Sequence, residues 1–233
     1  MKDKKLLSDI KEYLKCYEDQ VLEDWYELIR HISVSETGEG IETCCDWIQK
    51  KMEEIGIQVT KFSVKPAPVL VGRFGNDPEK KTVLIYAHYD VKPAGERKLW
   101  HSDPFVPTVR DGKVYARGSA DNKSPLMAHL KALEYFIRRK MEVPVNVSFV
   151  FEGDEECGSR GLEEFLAEHR TELAADLVYF SDGPKDPSGL PIIALGAKGD
   201  LSIHITVETM NRNVHARYAP VLPSAAWPLV EVL

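Results

Sequence analysis

Three apolar runs of strand length, residues 83–87, 145–151 and 177–180, each stop at side chains that carry chemistry. The first ends in His88-Tyr89-Asp90, the second in Glu152-Gly153-Asp154-Glu155-Glu156 and the third in Ser181-Asp182-Gly183. Short runs rich in β-branched and aromatic residues suit strands buried on both faces, and such strands need a sheet covered by helices on each side. In an extended chain residues i and i+2 point to the same side, so His88 and Asp90 project together from the end of their strand. The imidazole can then bind a metal while the carboxylate holds the ring in place. For an isolated His-x-Asp, a surface histidine beside a turn aspartate is the simpler reading. Repetition of acids at the ends of the later strands outweighs it.

Ile10, Tyr13, Leu14, Tyr17, Val21, Leu22, Trp25, Leu28 and Ile29 recur at three- and four-residue spacing, which predicts one long amphipathic helix or two in tandem. After a polar break over residues 33–40, Ile41, Cys44, Cys45, Ile48, Met52 and Ile55 predict a second helix that Gly56 is placed to end. Strands are expected at residues 57–62 and 69–74. A third helix opens with Ser124 as N-cap and Pro125 in its first turn, and residues 161–169 make a shorter one. Residues 91–111, with Pro93, Pro104, Pro107, Trp100 and Phe105, read as a long loop, either functional or pinned by its aromatic residues.

Helices alternating with buried strands predict an α/β fold. The expected form is a three-layer αβα sandwich around a mixed, mostly parallel sheet, with ligands in the crevice beyond the strand C-termini. Beyond residue 198 the pattern changes. Residues 201–208 alternate as a strand with one exposed face would, and residues 223–233 begin a helix. The expected organisation is a domain over residues 1–197 and the start of another over residues 198–233.

Composition narrows the function. A formal net charge of -7 argues against a basic, phosphate-binding surface and hence against nucleic acid as partner. No apolar run approaches the roughly 20 residues that span a membrane. Cys16, Cys44, Cys45 and Cys157 form no Cys-x-x-Cys pair and no disulfide framework, which points to reduced thiols and a cytoplasmic protein. Asp90, Asp121, Glu155, Glu156 and Asp182 would repel one another if they converged without cations. Two divalent cations balance Asp121, Glu156, Asp182 and one hydroxide. Imidazole with carboxylates suits zinc, and manganese or cobalt remain alternatives. Adjacent Glu155 and Glu156 can divide the work between a ligand and a general base.

Ala87-His88-Tyr89-Asp90-Val91-x-Pro93, Trp100 with Asp103-Pro104-Phe105, and Asp111-Gly112-x-x-Tyr115-x-Arg117-Gly118-x-x-Asp121-x-Lys123 follow one another along the chain. Glu152-Gly153-x-Glu155-Glu156-x-Gly158-Ser159 continues the series. In order and spacing these motifs resemble the co-catalytic, dinuclear zinc metallopeptidases of the carnosinase/dipeptidase, aminoacylase, desuccinylase and carboxypeptidase G group. The Tyr-Asp-Val after the histidine leans to the dipeptidase branch. The resemblance implies that His88 and Asp182 bind one metal, Glu156 the other, and Asp121 bridges them. It further implies that Asp90 orients His88, that Glu155 is the general base, and that the Asp121-Asn122 peptide bond is cis. The implied reaction is hydrolysis of an amide bond in a small peptide or N-acyl amino acid.

The two expected units then become a metallopeptidase catalytic domain and the start of a lid or dimerisation domain, through which full-length relatives form homodimers. His215 matches a histidine that reaches a partner subunit's active site, although Asn213, Val214, Ala216 and Arg217 around it depart from the relatives. Those relatives draw a further histidine ligand from a later segment, and nothing after Asp182 fits that role. The expectation is therefore a chain shortened relative to its relatives, with part of its sheet edge left open. The alternative functions are a metal- or peptide-binding chain of impaired activity, and an aminoacylase or desuccinylase of the same fold.

Overall fold

A computed structural model describes residues 2–183, 186, 188, 190, 192–194, 196, 199 and 201–232. The chain divides into two compact units, Met1–Pro184 and Lys185–Leu233. The boundary expected near residue 198 lies outside the described residues.

The first unit is built on a five-stranded sheet. Its strands are β1 (Gln58–Phe62), β2 (Val69–Phe74), β3 (Thr82–His88), β6 (Asn146–Glu152) and β7 (Leu177–Phe180), in the order β1-β2-β6-β3-β7. β1 pairs antiparallel with β2 and β2 with β6, whereas β3 lies parallel to both β6 and β7. The sheet is therefore mixed, and its parallel half is the half that ends in acids and histidine. The register Ala87↔Phe151, His88↔Glu152 brings those ends level, and Tyr89 N–H still donates to Glu152 O at 2.8 Å beyond the ladder.

Period-two alternation divides the side chains between two cores. Leu70, Ala87, Val147, Phe149 and Phe151 face Cys44, Ile48 and Met52 of α2 (Ile41–Ile55) and Leu126, Leu130 and Leu133 of α3 (Lys123–Arg138). Val69, Val71, Leu84 and Val150 face the other way, onto Phe165 of α4 (Leu162–Glu168) and Leu173. This is the three-layer αβα arrangement. α1 (Lys2–Arg30) packs outside α3, where Tyr13 meets Tyr135 edge-on at 5.1 Å between ring centres. Only part of its apolar stripe is covered, because Leu28 and Ile29 are buried while Leu7 and Leu14 are exposed.

The second helix keeps the expected bounds and ends at Gly56. Cys44 and Cys45 are fully buried in the core, where burial pushes the Cys45 thiol up to about 12, so they serve packing. α3 begins earlier than expected, with Asn122 in place of Ser124 at its N-cap. The loop at 91–111 contains structure that its prolines concealed. β4 (Thr108–Arg110) and β5 (Lys113–Tyr115) form a hairpin, closed by Asp111 and Gly112, both with positive φ (51° and 69°). An Asp-Gly pair suits the two-residue turn that matches strand twist.

β7 lies at the sheet edge and pairs only with β3 among the described residues. Its four apolar side chains are each at least 50% exposed, so this edge offers both free backbone groups and uncovered hydrocarbon.

In the second unit, residues 201–210 form no strand, since a lone extended segment has no ladder to close and β structure needs a partner. α5 (Ala226–Val232) carries Pro228 in its first turn, where a missing N–H costs nothing. Among the described residues no helix is long and apolar enough to cross a membrane.

Candidate metal centre

Three separate segments deliver the site. β3 brings His88, fully buried, at the floor. The loop that enters α3 brings Asp121, and the residues that leave β7 bring Asp182. His88 Nε2 lies 3.0 Å from Asp121 Oδ1, 3.1 Å from Asp182 Oδ2 and 3.7 Å from Glu155 Oε2. One ligand atom from each of His88, Asp121 and Asp182 falls within 4.8 Å of the others. Side-chain exposure rises from 0% at His88 through 23% at Asp182 to 62% at Asp121, so the cluster opens from a buried ring to solvent. The Asp121-Asn122 peptide bond is cis, as the family resemblance implies.

Behind the ring, His88 Nδ1 lies 3.1 Å from Asp90 O and 3.3 Å from Asp90 Oδ1. The Asp90 carboxylate, fully buried, also accepts the backbone N–H groups of Glu155 and Glu156 at 3.2 and 3.1 Å. One side chain thus fixes both the histidine and the short turn Glu155–Cys157. Gly153 makes room for that turn, since a Cβ there would stand 2.5 Å from the Tyr89 ring.

The charges respond to their crowding. Burial alone would push the His88 ring down. The hydrogen bond to Asp90 and the charges of Asp90, Glu155 and Asp121 win, and raise it to about 9. Burial likewise pushes Asp90 up, but its bonds to His88, Ser35 and Glu156 N–H hold it below the usual carboxylate range. Glu155 is raised by burial, then by Glu156, Asp182 and Asp90, against the pull of His88. A ring forced to keep its proton compensates for acids that would otherwise repel one another, and a divalent cation would take over that role while expelling the proton. An imidazole nitrogen with two carboxylates is a donor set suited to zinc, manganese or cobalt.

Glu156 lies outside this three-residue group. Its Oε2 sits 3.2 Å from Lys92 Nζ, and the same ammonium donates to Glu156 O. His215 belongs to the second unit, is exposed, and its Nδ1 accepts from Arg217 N–H at 3.1 Å.

Several further residues serve the site without a chemical role assigned from the sequence. Residues 33–35, part of the polar break, run beside the site: Val91 N–H donates to Ser33 O, and Ser33 Oγ donates to Tyr89 O at 2.7 Å. Lys123, 1% exposed, donates to Leu28 O at 3.1 Å and His31 O at 2.6 Å, which closes the C-terminal end of α1. Glu152 Oε1 accepts from the Tyr86 phenol and, at 2.8 Å, from Ser159 Oγ, and so fixes the far end of the Glu155 turn. The signal available was their place in the motifs, since Lys123 follows Asp121 by two residues and Glu152 opens the Glu152-Gly153 motif.

Comparison with known proteins shows the family and the fold. The chain is 40% identical over 172 residues to the Cys-Gly metallodipeptidase dug1 of Schizosaccharomyces pombe, covering 71% of this chain and 36% of that protein. Its fold matches a metallo-carboxypeptidase, Sso-CP2 of Sulfolobus solfataricus, with a TM-score of 0.80 at 32% identity over 91% of this chain and 48% of the other. It also matches human carnosine dipeptidase 1, with a TM-score of 0.73 at 30% identity over 76% and 41% of the two chains. The chain spans less than half the length of each of these relatives. The family pattern itself runs from residue 84, four residues before the buried histidine, to residue 231, and on that match the chain belongs to peptidase family M20/M25/M40.

Proposed function

We infer that the protein hydrolyses the peptide bond of dipeptides or other small peptides at a centre of two divalent cations, with Glu155 as general base. The observation that carries this reading is the meeting of His88 Nε2 with the carboxylates of Asp121 and Asp182 at 3.0 and 3.1 Å. Relatives named as dipeptidases support the substrate class. His88 and Asp182 would hold one cation, Glu156 the other, and Asp121 both, with zinc the first choice and manganese or cobalt the alternatives. Bound cations would supply Lewis-acid polarisation of the scissile carbonyl and ease deprotonation of the attacking water.

The chain's own groups do the rest. Glu155, held 3.7 Å from His88 Nε2 and raised above the usual carboxylate range by burial, takes the proton from water and returns it to the departing amine nitrogen. Asp90 keeps the ring pointed and the Glu155 turn anchored. In a homodimer, His215 of one subunit would stabilise the oxyanion in the other, and four cysteines without a disulfide fit the cytoplasm.

One observation favours a second reading. Glu156 is paired with Lys92, so a chain that keeps this pair would bind a single cation and act as a metal- or peptide-binding protein. A panel of dipeptides that includes Cys-Gly and β-Ala-His separates the two. Hydrolysis that vanishes on chelation and returns with added zinc is expected; no hydrolysis of any member after zinc is restored would favour the binding protein.

A further inference from the structure

We propose that Asn122 is a positioning residue that sets the separation of the Asp121 and Asp182 carboxylates, and hence the affinity of the site for its cation. The inference rests on the metal-centre reading above.

Asn122 stands at the N-cap of α3, a position where asparagine ordinarily accepts a hydrogen bond from the first turn of its own helix. Here its side chain makes no such bond. It is 1% exposed, and its Nδ2 instead donates to Ser181 O at 3.1 Å, across 59 residues of sequence. The orientation of the amide is forced, because its oxygen in that place would face a carbonyl oxygen, and Oδ1 is left buried with no hydrogen-bond partner among the described residues. Asn122 follows Asp121 and Ser181 precedes Asp182, so one hydrogen bond ties together the backbones that carry two of the three clustered ligands.

The tie matters because little else holds the second backbone. The β3–β7 ladder ends at Tyr86↔Phe180, and no backbone hydrogen bond of residues 181–183 is present among the described residues. Apart from the Asn122 amide, the polar partner of this stretch there is His88, through the Asp182 carboxylate itself. The other end of the tie is rigid: Lys123, next in sequence, is pinned to the carbonyls of Leu28 and His31. Asn122 therefore transfers the position of a buried helix start to an exposed strand end. Outer partners that orient ligands typically change metal affinity 10- to 100-fold when removed.

Two variants test this. N122A removes the amide, and N122L keeps its approximate volume but has no donor for Ser181 O. Zinc alone is titrated calorimetrically into chelator-stripped protein, alongside thermal melts of the metal-free forms. Both variants are expected to weaken zinc binding about 10-fold or more. Their metal-free melting midpoints should fall by no more than about 4 °C, the shift that loss of one hydrogen bond gives in a chain of this size. Wild-type affinity in both variants would overturn the proposal and leave the metal centre standing. Failure of both to fold without metal would also overturn it, by making Asn122 part of the scaffold. Absence of zinc binding in the wild type would bring down the metal-centre reading itself.

Discussion

Glu155→Gln is expected to lower kcat for dipeptide hydrolysis about 10²- to 10⁴-fold, the usual worth of a positioned general base, while leaving bound metal nearly unchanged. Glutamine keeps the shape of the side chain but cannot hold a proton in transit. The three clustered donors, His88, Asp121 and Asp182, do not include it, so the cation should remain. Steady-state kinetics with metal analysis on the same preparation gives the answer. More than about a tenth of wild-type kcat would reject Glu155 as base.

Asp90→Asn should strike the site from behind. The wild-type carboxylate, fully buried, serves His88 and two backbone N–H groups at once. An amide presents one oxygen and one NH2, so at least one buried donor loses its acceptor, and breaking a buried charged pair costs about 3–5 kcal/mol. Zinc affinity should fall 10- to 100-fold as the ring loses its guide.

The sign of the pH dependence follows from both partners in the metal-free chain. Asp90 is held below its ordinary value of 3.8, so its contribution is present above that pH and is lost as pH falls through the folded value. His88 is raised from 6.5 to about 9, so its contribution is full below 6.5 and is lost as pH rises through 9. The stability gap between wild type and variant should therefore be widest between about pH 4 and 6.5 and narrow at both ends. Urea denaturation across that range checks it; a gap that does not change with pH would contradict the pairing.

How much of this could be read from residues alone differs by element. Periodicity placed α2 at its observed bounds because its apolar residues face one core, and β2 read as a continuous apolar run because its side chains are buried in both cores. The strand ends carried His88 and Asp182 to one place, the charge count placed Asp121 with them, and the resemblance gave Asp121 its bridging role. The β4–β5 hairpin is masked in the sequence by Pro104 and Pro107 just before it, which make the stretch read as loop although Asp111-Gly112 is a hairpin turn pair. Residues 33–35 read as a break because serines in a linker and serines against a buried carboxylate look the same until the tertiary fold supplies the partner. Asn122 was hidden for a related reason, since a cap residue and a cross-chain tie use the same side chain. Glu156 carries one contact that sequence spacing cannot encode, its carboxylate lying 3.2 Å from Lys92 Nζ.

The central claim is that an imidazole and carboxylates from distant segments are gathered to hold cations. Zinc titrated into chelator-stripped wild type and into His88→Ala, read by calorimetry and by metal retained after dialysis, tests it most directly. Saturable binding with proton release in the wild type, lost in the variant, is the predicted result. Equal binding by both proteins, or none by either, would contradict it.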